Sequence, residues 1–535
     1  MKVKRAHIVG SGIASLAAAV YLLRDTEIEA DCIVLYESDP ELGFGGAMAA
    51  NWAPETHSGK ERRAYVLPAT RIMEREYRCA YELFSHFASV SDPNQTLDED
   101  VHDFNRRYPY QDTTRVLDEH LRPISRGHFG VGFADSLKLA WLMLRRESTL
   151  DDKTIENWGR WRFSRAFYKS EFWVAWSTMM GPLPEHSAIE MRRYLWRFLH
   201  IVPDIADMTT IWRMRMNQND SVARPICDWL KTQGVQFKPH PVEDVSLVPV
   251  QGGLAATEIS VQGAPIVIDR QSGDVVLMTL GSQIADLAIG RWKKAPAPVA
   301  SPGQSWALWE KIAKRYPEFG RPEKFFGSQT ERCAKWVTFT VTAYGPTFLD
   351  CLTRLTGVDP ARAGLTTLDA SPWKITLAPC PKPHFLDQPD DATVVWGYSI
   401  FPDEVGKYVA KQMWACTGEE ILTETVRQLG FDSHLPQILH ECECIPCCLP
   451  HANSVWMARN HKDRPEVRPA NATNFAFIGQ FCELPKDTMF TMEYSVRSAR
   501  EAVSSLCDLP LRPPPVYRAW KDPLAVVAAA KAFWL

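Results

Sequence analysis

The stretch that decides the fold is the N-terminal run Ala6-His7-Ile8-Val9-Gly10-Ser11-Gly12-Ile13-Ala14-Ser15. Its first four residues are typical of a short buried strand, and residues 16–24 are typical of a helix. Gly10 permits a tight turn between them, and Gly12 lets backbone N–H groups at the start of the helix approach a pyrophosphate. The order strand, glycine turn, helix therefore predicts a dinucleotide-binding α/β domain.

A second predicted strand, residues 32–36, ends at Glu37. An acid at that point can accept hydrogen bonds from ribose hydroxyls, and it disfavours the 2′-phosphate of NADP. The third glycine of the usual fingerprint is replaced by Ser15, which is small enough to let the helix pack closely on the strand. The spacing of the whole unit therefore supports a dinucleotide site.

Later stretches favour FAD as the dinucleotide. Gly45 and Gly46 lie in a second glycine-rich loop, at the point where FAD enzymes pass the chain over the phosphates. Residues 274–282 predict a buried strand that ends at Ser282, and residues 475–480 predict a strand that ends in Gly479 before a helix. No second Gly-x-Gly-x-x-Gly follows a strand, so a separate NAD(P)H domain is not predicted.

Composition is that of an ordinary globular protein, with 535 residues, 45% hydrophobic and 23% charged. The net charge of −4 provides no basic field for a phosphate backbone, so nucleic acid is not expected as a partner. Thirteen cysteines favour a reducing compartment, and we expect a cytoplasmic protein. The cysteines between Cys442 and Cys448 have no second ligand pair nearby, so no metal site is predicted.

These placements predict a discontinuous FAD-binding domain of the doubly wound Rossmann-like class, made of residues 1–130, 205–295 and 440–505. The remaining segments are predicted to be inserted α+β substrate lobes, residues 131–204 and 296–439, and a C-terminal helical tail, residues 506–535. The apolar tail is expected to pack on its own body or on the partner in a homodimer, or to rest on a membrane surface.

The sequence resembles the oleate hydratase family, also called the myosin-cross-reactive antigen family, and looks like a divergent member. The resemblance runs over most of the chain and rests on the strings Gly10-Ser11-Gly12, Met73-Glu74-Arg75-Glu76-Tyr77, Asp103-Phe104-Asn105, Ser187-Ala188-Ile189-Glu190, Asn217-Gln218, Cys416-Thr417-Gly418-Glu419-Glu420 and Glu493-Tyr494-Ser495-Val496-Arg497. Members of that family bind FAD, and many add water across a cis double bond of an unsaturated fatty acid without net redox change of the flavin. The resemblance therefore implies a non-redox lyase of the hydratase type.

The resemblance also implies roles for individual residues. Tyr194, in Arg-Arg-Tyr, corresponds to the proton donor of the family. The family motif Arg-Gly-Gly-Arg-Glu-Met reads Pro-Ala-Thr-Arg-Ile-Met here, so Arg71 and Met73 are retained. Arg71 is expected to reach the flavin or its phosphates. The glutamate that would handle water is replaced by Ile72, which can neither accept a proton nor bind water.

At the carboxylate end of the substrate, the resemblance implies contacts from Asn217 and Gln218. The family pattern Thr-x-Asn-x-x-x-His is represented here by Ala378, Cys380 and His384. His384 is then the single candidate for a cation among the aligned positions. This end of the site has lost half of its polar contacts.

Three functions stay open at this point. The leading hypothesis is hydration of an unsaturated fatty acid or a similar apolar acid, with Tyr194 as general acid. Because Ile72 cannot handle water, the second hypothesis is a double-bond isomerase or a cyclase that uses the same protonation step. The third is a flavin- or lipid-binding protein without turnover.

Overall fold

The computed structural model describes residues 3–37, 43–57, 60–70, 72–124, 127–160, 162–297 and 304–534. The strands in these ranges are β1 (Arg5–Val9), β2 (Ile33–Tyr36), β3 (Asn51–His57), β4 (Lys60–Val66), β5 (Val116–Leu117), β6 (Gln236–Lys238), β7 (Val242–Val250), β8 (Gly253–Val261), β9 (Ala264–Val267), β10 (Asp274–Thr279), β11 (Ala288–Ile289), β12 (Trp336–Ala343), β13 (Thr366–Leu368), β14 (Thr376–Pro379), β15 (Thr393–Ser399), β16 (Cys442–Leu449) and β17 (Phe475–Ile478). The α-helices are α1 (Ile13–Asp25), α2 (Arg78–Phe84), α3 (Leu97–Arg107), α4 (Phe133–Leu144), α5 (Glu171–Met180), α6 (Ala188–Phe198), α7 (Arg224–Gln233), α8 (Gln304–Arg315), α9 (Ser328–Ala334), α10 (Thr347–Thr356), α11 (Gly418–Gln428), α12 (Leu435–Glu441), α13 (Met492–Leu506) and α14 (Pro523–Trp534).

The first sheet is parallel and has five strands in the order β17-β10-β1-β2-β6. Four of these strands are short and almost entirely buried apolar runs, as expected for parallel strands that are covered on both faces. The strand order runs outward from β1 in both directions. A doubly wound sheet opens a crevice at the carboxyl ends of the strands at such a switch point. The predicted α/β class and Rossmann-like fold are confirmed.

Helix α1 is the central packing element of this part of the chain. It begins at Ile13, directly after Gly12, and its residues 13–22 are all buried. It packs against α13, which follows the last strand of the parallel sheet. The small residues of α1 permit this close approach, because three consecutive alanines, Ala17 to Ala19, are completely buried.

The second sheet is mixed and has seven strands in the order β11-β16-β12-β15-β14-β13-β5. All of its pairings are antiparallel except that between β13 and β5. Helices α10, α11 and α12 cover one face with a separate apolar core. Three of its strands, β5, β11 and β16, belong to segments that the sequence assigns to the FAD domain, so the second sheet combines segments from both predicted domains. The predicted domain limits stay a prediction.

The other face of the second sheet carries the end of β4 and the residues that follow it. Three threonines alternate along β12 and bond the backbone of residues 65–68 in succession. The hydroxyl of Thr338 donates to the carbonyl of Pro68 at 2.9 Å. The backbone N–H groups of Leu67 and Tyr65 donate to the hydroxyls of Thr340 and Thr342, each at 3.0 Å.

Helix α4 packs on α6, α5 packs on β5, and α14 packs on α4 and on residues 199–204. The predicted tail helix is confirmed as α14. A third sheet, antiparallel β7-β8-β9, carries α8. Among the helices within the described ranges, none is both long and apolar enough to cross a membrane.

Candidate active site

A cavity of about 390 Å³ lies at the carboxyl ends of the strands of the parallel sheet. Its walls come from the turn after β1, the end of β2, the loop after β10 and the turn after β17. Eight of the residues that the sequence singles out line it, namely Gly10, Gly12, Glu37, Gly45, Gly46, Gln218, Ser282 and Gly479. The topological switch point, the predicted glycine turns and the cavity therefore coincide.

The dinucleotide end of the cavity is built by the turn between β1 and α1. Gly10 has a φ of +97°, and a Cβ there would lie 3.1 Å from the hydroxyl of Thr279 on β10. Ser15 does not line the cavity. Its hydroxyl lies 3.4 Å from the same Thr279 hydroxyl, so it joins α1 to β10 as the third fingerprint position requires. The first turn of α1 points its N–H groups into the cavity, where a pyrophosphate would be stabilised.

Glu37 is buried at the end of β2, as the sequence predicts. The hydroxyl of Ser11 donates a hydrogen bond to its carboxylate, and the N–H of Gly45 donates to the same hydroxyl at 3.3 Å. These two successive hydrogen bonds orient the Glu37 carboxylate toward the position that a ribose would occupy. Gly46, in the second glycine-rich loop, packs directly on the first turn: its φ is +56°, and a Cβ there would lie only 2.9 Å from the Cα of Gly12. The residues present therefore fit a dinucleotide whose phosphates lie against two glycine turns that are in contact with each other.

The other end of the cavity is formed where β17 leads into α13. Gly479 has a φ of +91°, and its N–H donates to the hydroxyl of Ser498 at 2.8 Å. The side-chain amide of Gln480 donates to the carbonyl of Thr491 at 2.8 Å and accepts from the N–H of Phe490. Phe490 itself has a φ of +72°, a costly conformation for a bulky residue, and it lines the cavity. The lining residues Gly479, Gln480, Phe490 and Thr491 are thus joined by hydrogen bonds into one wall.

Tyr194, the predicted proton donor, lies on α6 and is almost completely buried. Its hydroxyl donates a 2.7 Å hydrogen bond to the carbonyl of Met489. Its ring lies 4.3 Å from the ring of Trp456 and 5.5 Å from that of Phe198. Because Met489 precedes Phe490 in the cavity wall, the phenol lies directly behind that wall in apolar surroundings.

A buried charge cluster fixes α6 in this position. It comprises Glu190, Arg193, Arg459, Arg464 and Glu483. Arg459 lies 2.6 Å from Glu190, and Arg193 lies 2.6 Å from Glu483. Arg464 contacts both carboxylates, at 3.1 Å and 2.9 Å. The cluster joins α6 to the chain after β16 and to the cavity wall after β17.

Ile72 and Met73 do not line the cavity. Met73 is buried, and its backbone forms two hydrogen bonds of 2.8 Å with that of Trp212. Ile72 is half-buried and packs against the main core. Arg71 lies outside the described residues. The structure thus places Met73 beside Trp212 rather than on the cavity wall itself.

Gln218 lines the cavity because the chain changes helical form directly after it. Residues Asn219–Ala223 form a π-helix that continues into α7, and such wide turns are frequent at functional sites. Asn217 faces the other way: its side-chain amide donates to Asp220 and to the carbonyl of His384, both at 2.8 Å. Asn217 therefore positions His384, and its amide donors are already engaged.

His384 is buried, and neither ring nitrogen has a hydrogen-bond partner among the described residues. Burial, assisted by the charge of Arg213, lowers the pKa of His384 to about 4. This shift favours the neutral imidazole at neutral pH, and a cationic role for His384 stays a prediction. Ala378 and Cys380 are half-buried at the end of β14, and burial raises the pKa of the Cys380 thiol to about 12.

Arg213 is the buried cation of this region, and the sequence did not identify it. One guanidinium nitrogen, Nη2, donates to the carbonyls of Tyr108 and Ala361. The guanidinium lies 3.8 Å above the ring of Tyr110. Its Nε and Nη1 are buried without a hydrogen-bond partner in the part of the chain that the structure describes. Its neighbour Arg215 is half-exposed and pairs with Asp100. No sequence rule distinguishes these two arginines.

Two other residues that the sequence did not single out are Phe490 and Asp286, both in the cavity wall. Asp286 pairs with His451 at 3.1 Å. The described residues contain no group of three His, Cys, Asp or Glu side chains arranged to hold a metal. The cysteines of β16 are buried in that strand.

A doubly wound sheet with this cavity at its switch point is the architecture of a dinucleotide-binding α/β protein. Among solved structures, putrescine oxidase bound to putrescine has the same fold, with a TM-score of 0.52 at 11% identity over 94% of this chain and 99% of that chain. That likeness concerns the fold alone.

The MCRA family model matches residues 3–504, and the chain belongs to that family. An oleate hydratase of Streptococcus pyogenes serotype M49 (strain NZ131) is 33% identical over 516 residues, which cover 94% of this chain and 85% of that protein. A linoleate hydratase of Lactiplantibacillus plantarum is 28% identical over 577 residues, which cover 98% of each. The protein is a FAD-dependent lyase of the hydratase type.

The two glycine turns generate a prediction about cofactor binding. Gly46→Ala places a methyl group against the backbone of Gly12, so we expect the affinity for FAD to fall by at least about tenfold, the equivalent of ~1.4 kcal/mol. Gly43→Ala is the matched control, because Gly43 also has a positive φ (+76°) but has nothing within 4 Å of the added Cβ. Fluorescence titration of the apoprotein with FAD measures both. Equal losses in the two variants would show that backbone strain, not displacement of the two contacting glycine turns, is responsible.

Proposed function

We propose that this lyase hydrates a double bond of an unsaturated fatty acid, with Tyr194 as proton donor. The observation that carries the proposal is the place of Tyr194, whose hydroxyl bonds the carbonyl of Met489, the residue that precedes Phe490 of the cavity wall. Gln218, expected at the substrate, lines the same cavity. The names of the two relatives, oleate and linoleate hydratase, support a long-chain unsaturated acid as substrate.

The proposed reaction has two balanced steps. The O–H bond of Tyr194 breaks as a C–H bond forms at one alkene carbon, and the positive charge develops at the other carbon. A water oxygen then bonds to that carbon, and a proton of this water returns to the phenolate. The rings of Trp456 and Phe198 exclude bulk water from the phenol. Bound FAD is expected to contribute an electrostatic or structural effect without net redox change.

Of the two proposed steps, activation of the water molecule has the least support from the side chains that line the cavity. Two carboxylates line the described cavity wall, Glu37 and Asp286. Glu37 accepts from Ser11 at the ribose end, and Asp286 pairs with His451. Since Ile72 replaces the glutamate of the family motif, isomerisation or cyclisation by the same protonation is the second candidate.

The test is incubation of the FAD-loaded enzyme with oleate, linoleate and other unsaturated acids in heavy-oxygen water, followed by mass spectrometry. Hydration gives a product heavier by one labelled water, whereas isomerisation leaves the mass unchanged. We expect Tyr194→Phe to lower turnover by at least about 100-fold, the usual contribution of general acid catalysis. Tyr494→Phe is the control, since this buried tyrosine also donates to a carbonyl, that of Cys482, at 2.7 Å. Full activity of Tyr194→Phe would exclude it as the donor.

A second prediction concerns the missing carboxylate. Ile72→Glu is expected to increase the rate of oleate hydration over wild type, because burial raises the pKa of a carboxyl toward the range useful in a general base. Ile72→Gln has nearly the same shape but cannot accept the proton, and it should leave the rate unchanged. The labelled hydroxy acid measures both. An Ile72→Glu variant that keeps FAD and shows no gain would mean that the altered carboxylate end limits hydration.

We also propose that Arg213 compensates the charge of the substrate carboxylate. The support is its burial, its two nitrogens that have no hydrogen-bond partner among the described residues, and its electrostatic effect on both His384 and Cys380. Neutral His384 would then act as a hydrogen-bond donor or acceptor, positioned by Asn217. The direct contacts expected from Gln218, Ala378 and Cys380 stay predictions.

Comparing the binding of a fatty acid with that of its methyl ester distinguishes charge compensation from packing at the carboxylate end of the site. Arg213→Gln should weaken oleate binding by about 10- to 100-fold, since hydrogen bonds to charged groups contribute ~1.5–3 kcal/mol. Binding of methyl oleate should hardly change. Arg107→Gln is the control, an exposed arginine beside Asp103 on α3. Calorimetric titration measures all of these. Equal losses for acid and ester would assign Arg213 a packing role only.

A homodimer, a cytoplasmic location and a contact of the tail with a membrane surface remain predictions from the sequence.

A further inference from the structure

The peptide bond between Met489 and Phe490 joins the proposed proton donor to the cavity wall. Its carbonyl accepts the 2.7 Å hydrogen bond from the hydroxyl of Tyr194. Its N–H donates to the side-chain carbonyl of Gln480. Because a trans peptide is planar, its C=O and its N–H point in opposite directions. The direction of the N–H toward Gln480 therefore fixes the direction of the carbonyl toward Tyr194.

The backbone at Phe490 is in a conformation that a bulky residue rarely adopts. Residues 488–491 form a turn with Met489 and Phe490 at its centre, and the φ of Phe490 is +72°. The central peptide of a four-residue turn has two common orientations, which give its third residue a φ of about −90° or about +80°. The second orientation suits glycine and is costly for phenylalanine. Rotation of this one peptide would therefore relieve the strain at Phe490.

Both ends of this turn are anchored independently of its central peptide. The N–H of Thr488 donates to the carboxylate of Asp487 at 2.9 Å. The hydroxyl of Thr491 donates to the carbonyl of Thr488 at 3.0 Å, and it accepts from the N–H of Tyr494 at 3.1 Å as the N-cap of α13. The central peptide can thus change its orientation while α13 and the rest of the cavity wall stay in place.

Gln480 holds the central peptide in its strained orientation. The amide nitrogen of Gln480 donates to the carbonyl of Thr491 at 2.8 Å and to the hydroxyl of Ser495 at 2.7 Å. Its amide oxygen is thereby directed at the N–H of Phe490. The arrangement uses donors and an acceptor on one side-chain tip, which glutamine supplies and leucine does not.

The hydrogen bond from Tyr194 to Met489 is incompatible with transfer of the same proton to a substrate. A phenol has a single O–H, and a proton that is donated to a carbonyl is not available to an alkene carbon. The bond must therefore break before the proposed protonation step. Rotation of the Met489–Phe490 peptide would withdraw the carbonyl from the phenol and relax Phe490 at the same time.

We infer that the Met489–Phe490 peptide is a two-position element that controls the proton of Tyr194. Gln480 is the positioning residue: it keeps the peptide, and with it the phenolic proton, in the resting orientation described above. Rotation of the peptide releases the O–H of Tyr194 for the substrate. The inference rests on the proposed function, because that function makes Tyr194 the proton donor.

Amide hydrogen exchange at residue 490 tests the rotation in the FAD-loaded protein without substrate. Phe490→Gly and Phe490→Ala both remove the ring, but only glycine accepts the positive φ without strain. After correction for intrinsic rates, we expect this amide to exchange about tenfold more slowly in Phe490→Gly than in Phe490→Ala. The amide of Gly479, which donates to Ser498, is the internal reference. Equal exchange in the two variants would overturn the inference.

Gln480→Leu tests the part that the inference gives to Gln480. Exchange of the Phe490 amide should be faster than in wild type, because the acceptor of its hydrogen bond is removed. The Gly479 amide should exchange at the wild-type rate. An unchanged rate at Phe490 would exclude Gln480 as the residue that holds the peptide.

Turnover of oleate tests the release of the proton. All products are counted, since hydration and isomerisation share the protonation step. We expect kcat of Phe490→Gly to be about tenfold lower than that of Phe490→Ala at equal KM, because glycine favours the resting orientation. The glycine variant should unfold at no lower temperature. A purely structural role of the turn predicts no loss of kcat when strain is relieved, so equal kcat values would overturn the release step.

Tyr194→Phe distinguishes failure of this inference from failure of the proposed function. Full turnover by Tyr194→Phe would remove the proton-donor assignment, and the release step with it. Loss of turnover in Tyr194→Phe, together with equal kcat for the two variants at residue 490, would overturn the inference alone. The exchange measurement decides whether the peptide rotates in either case.

Discussion

The buried charge cluster is the interaction on which the arrangement of the active site depends. Burial alone would raise the pKa of Glu483, but the adjacent Arg193, Arg464 and Arg459 hold it well below the usual range. The carboxylate therefore stays ionised and stabilises the fold at neutral pH, and this contribution is lost only as the pH falls through that depressed pKa. Removing one member of a buried ion pair typically costs about 3–5 kcal/mol, because its partner stays buried without compensation.

The cluster also explains how distant parts of the chain meet. Glu190 and Arg193 occupy the same helix as Tyr194, while Glu483 follows β17. Their contacts fix the distance between α6 and the cavity wall, and the hydrogen bond from the phenol to Met489 lies within that fixed distance. A proton donor on a rigid helix is positioned more accurately than one on a loop. The charge cluster holds α6 and the segment that follows β17 in one rigid arrangement.

Much of the fold could be predicted from the sequence, because local patterns specify it. The buried strands, the glycine turn at Gly10 and the acid at Glu37 each follow from backbone sterics or from apolar runs, and they lie where expected. The carboxylate end could not be predicted in the same way. Whether Arg213 or Arg215 is buried, and whether His384 is charged, depends on tertiary surroundings that no local pattern records. The left-handed conformation of Phe490 has no sequence signal either, because glycine usually marks such positions.

The threonine ladder of β12 places a constraint on how this chain can diverge. Hydroxyls at alternate positions reach one face of the strand, where Thr338, Thr340 and Thr342 bond the backbone of residues 65–68. Inserting or deleting a single residue in β12 would turn every hydroxyl to the opposite face and break these bonds together. Relatives can therefore exchange individual side chains along the strand, but a change in its length would detach the segment that leads to Ile72. Insertions and deletions in this lobe are thus confined to its loops.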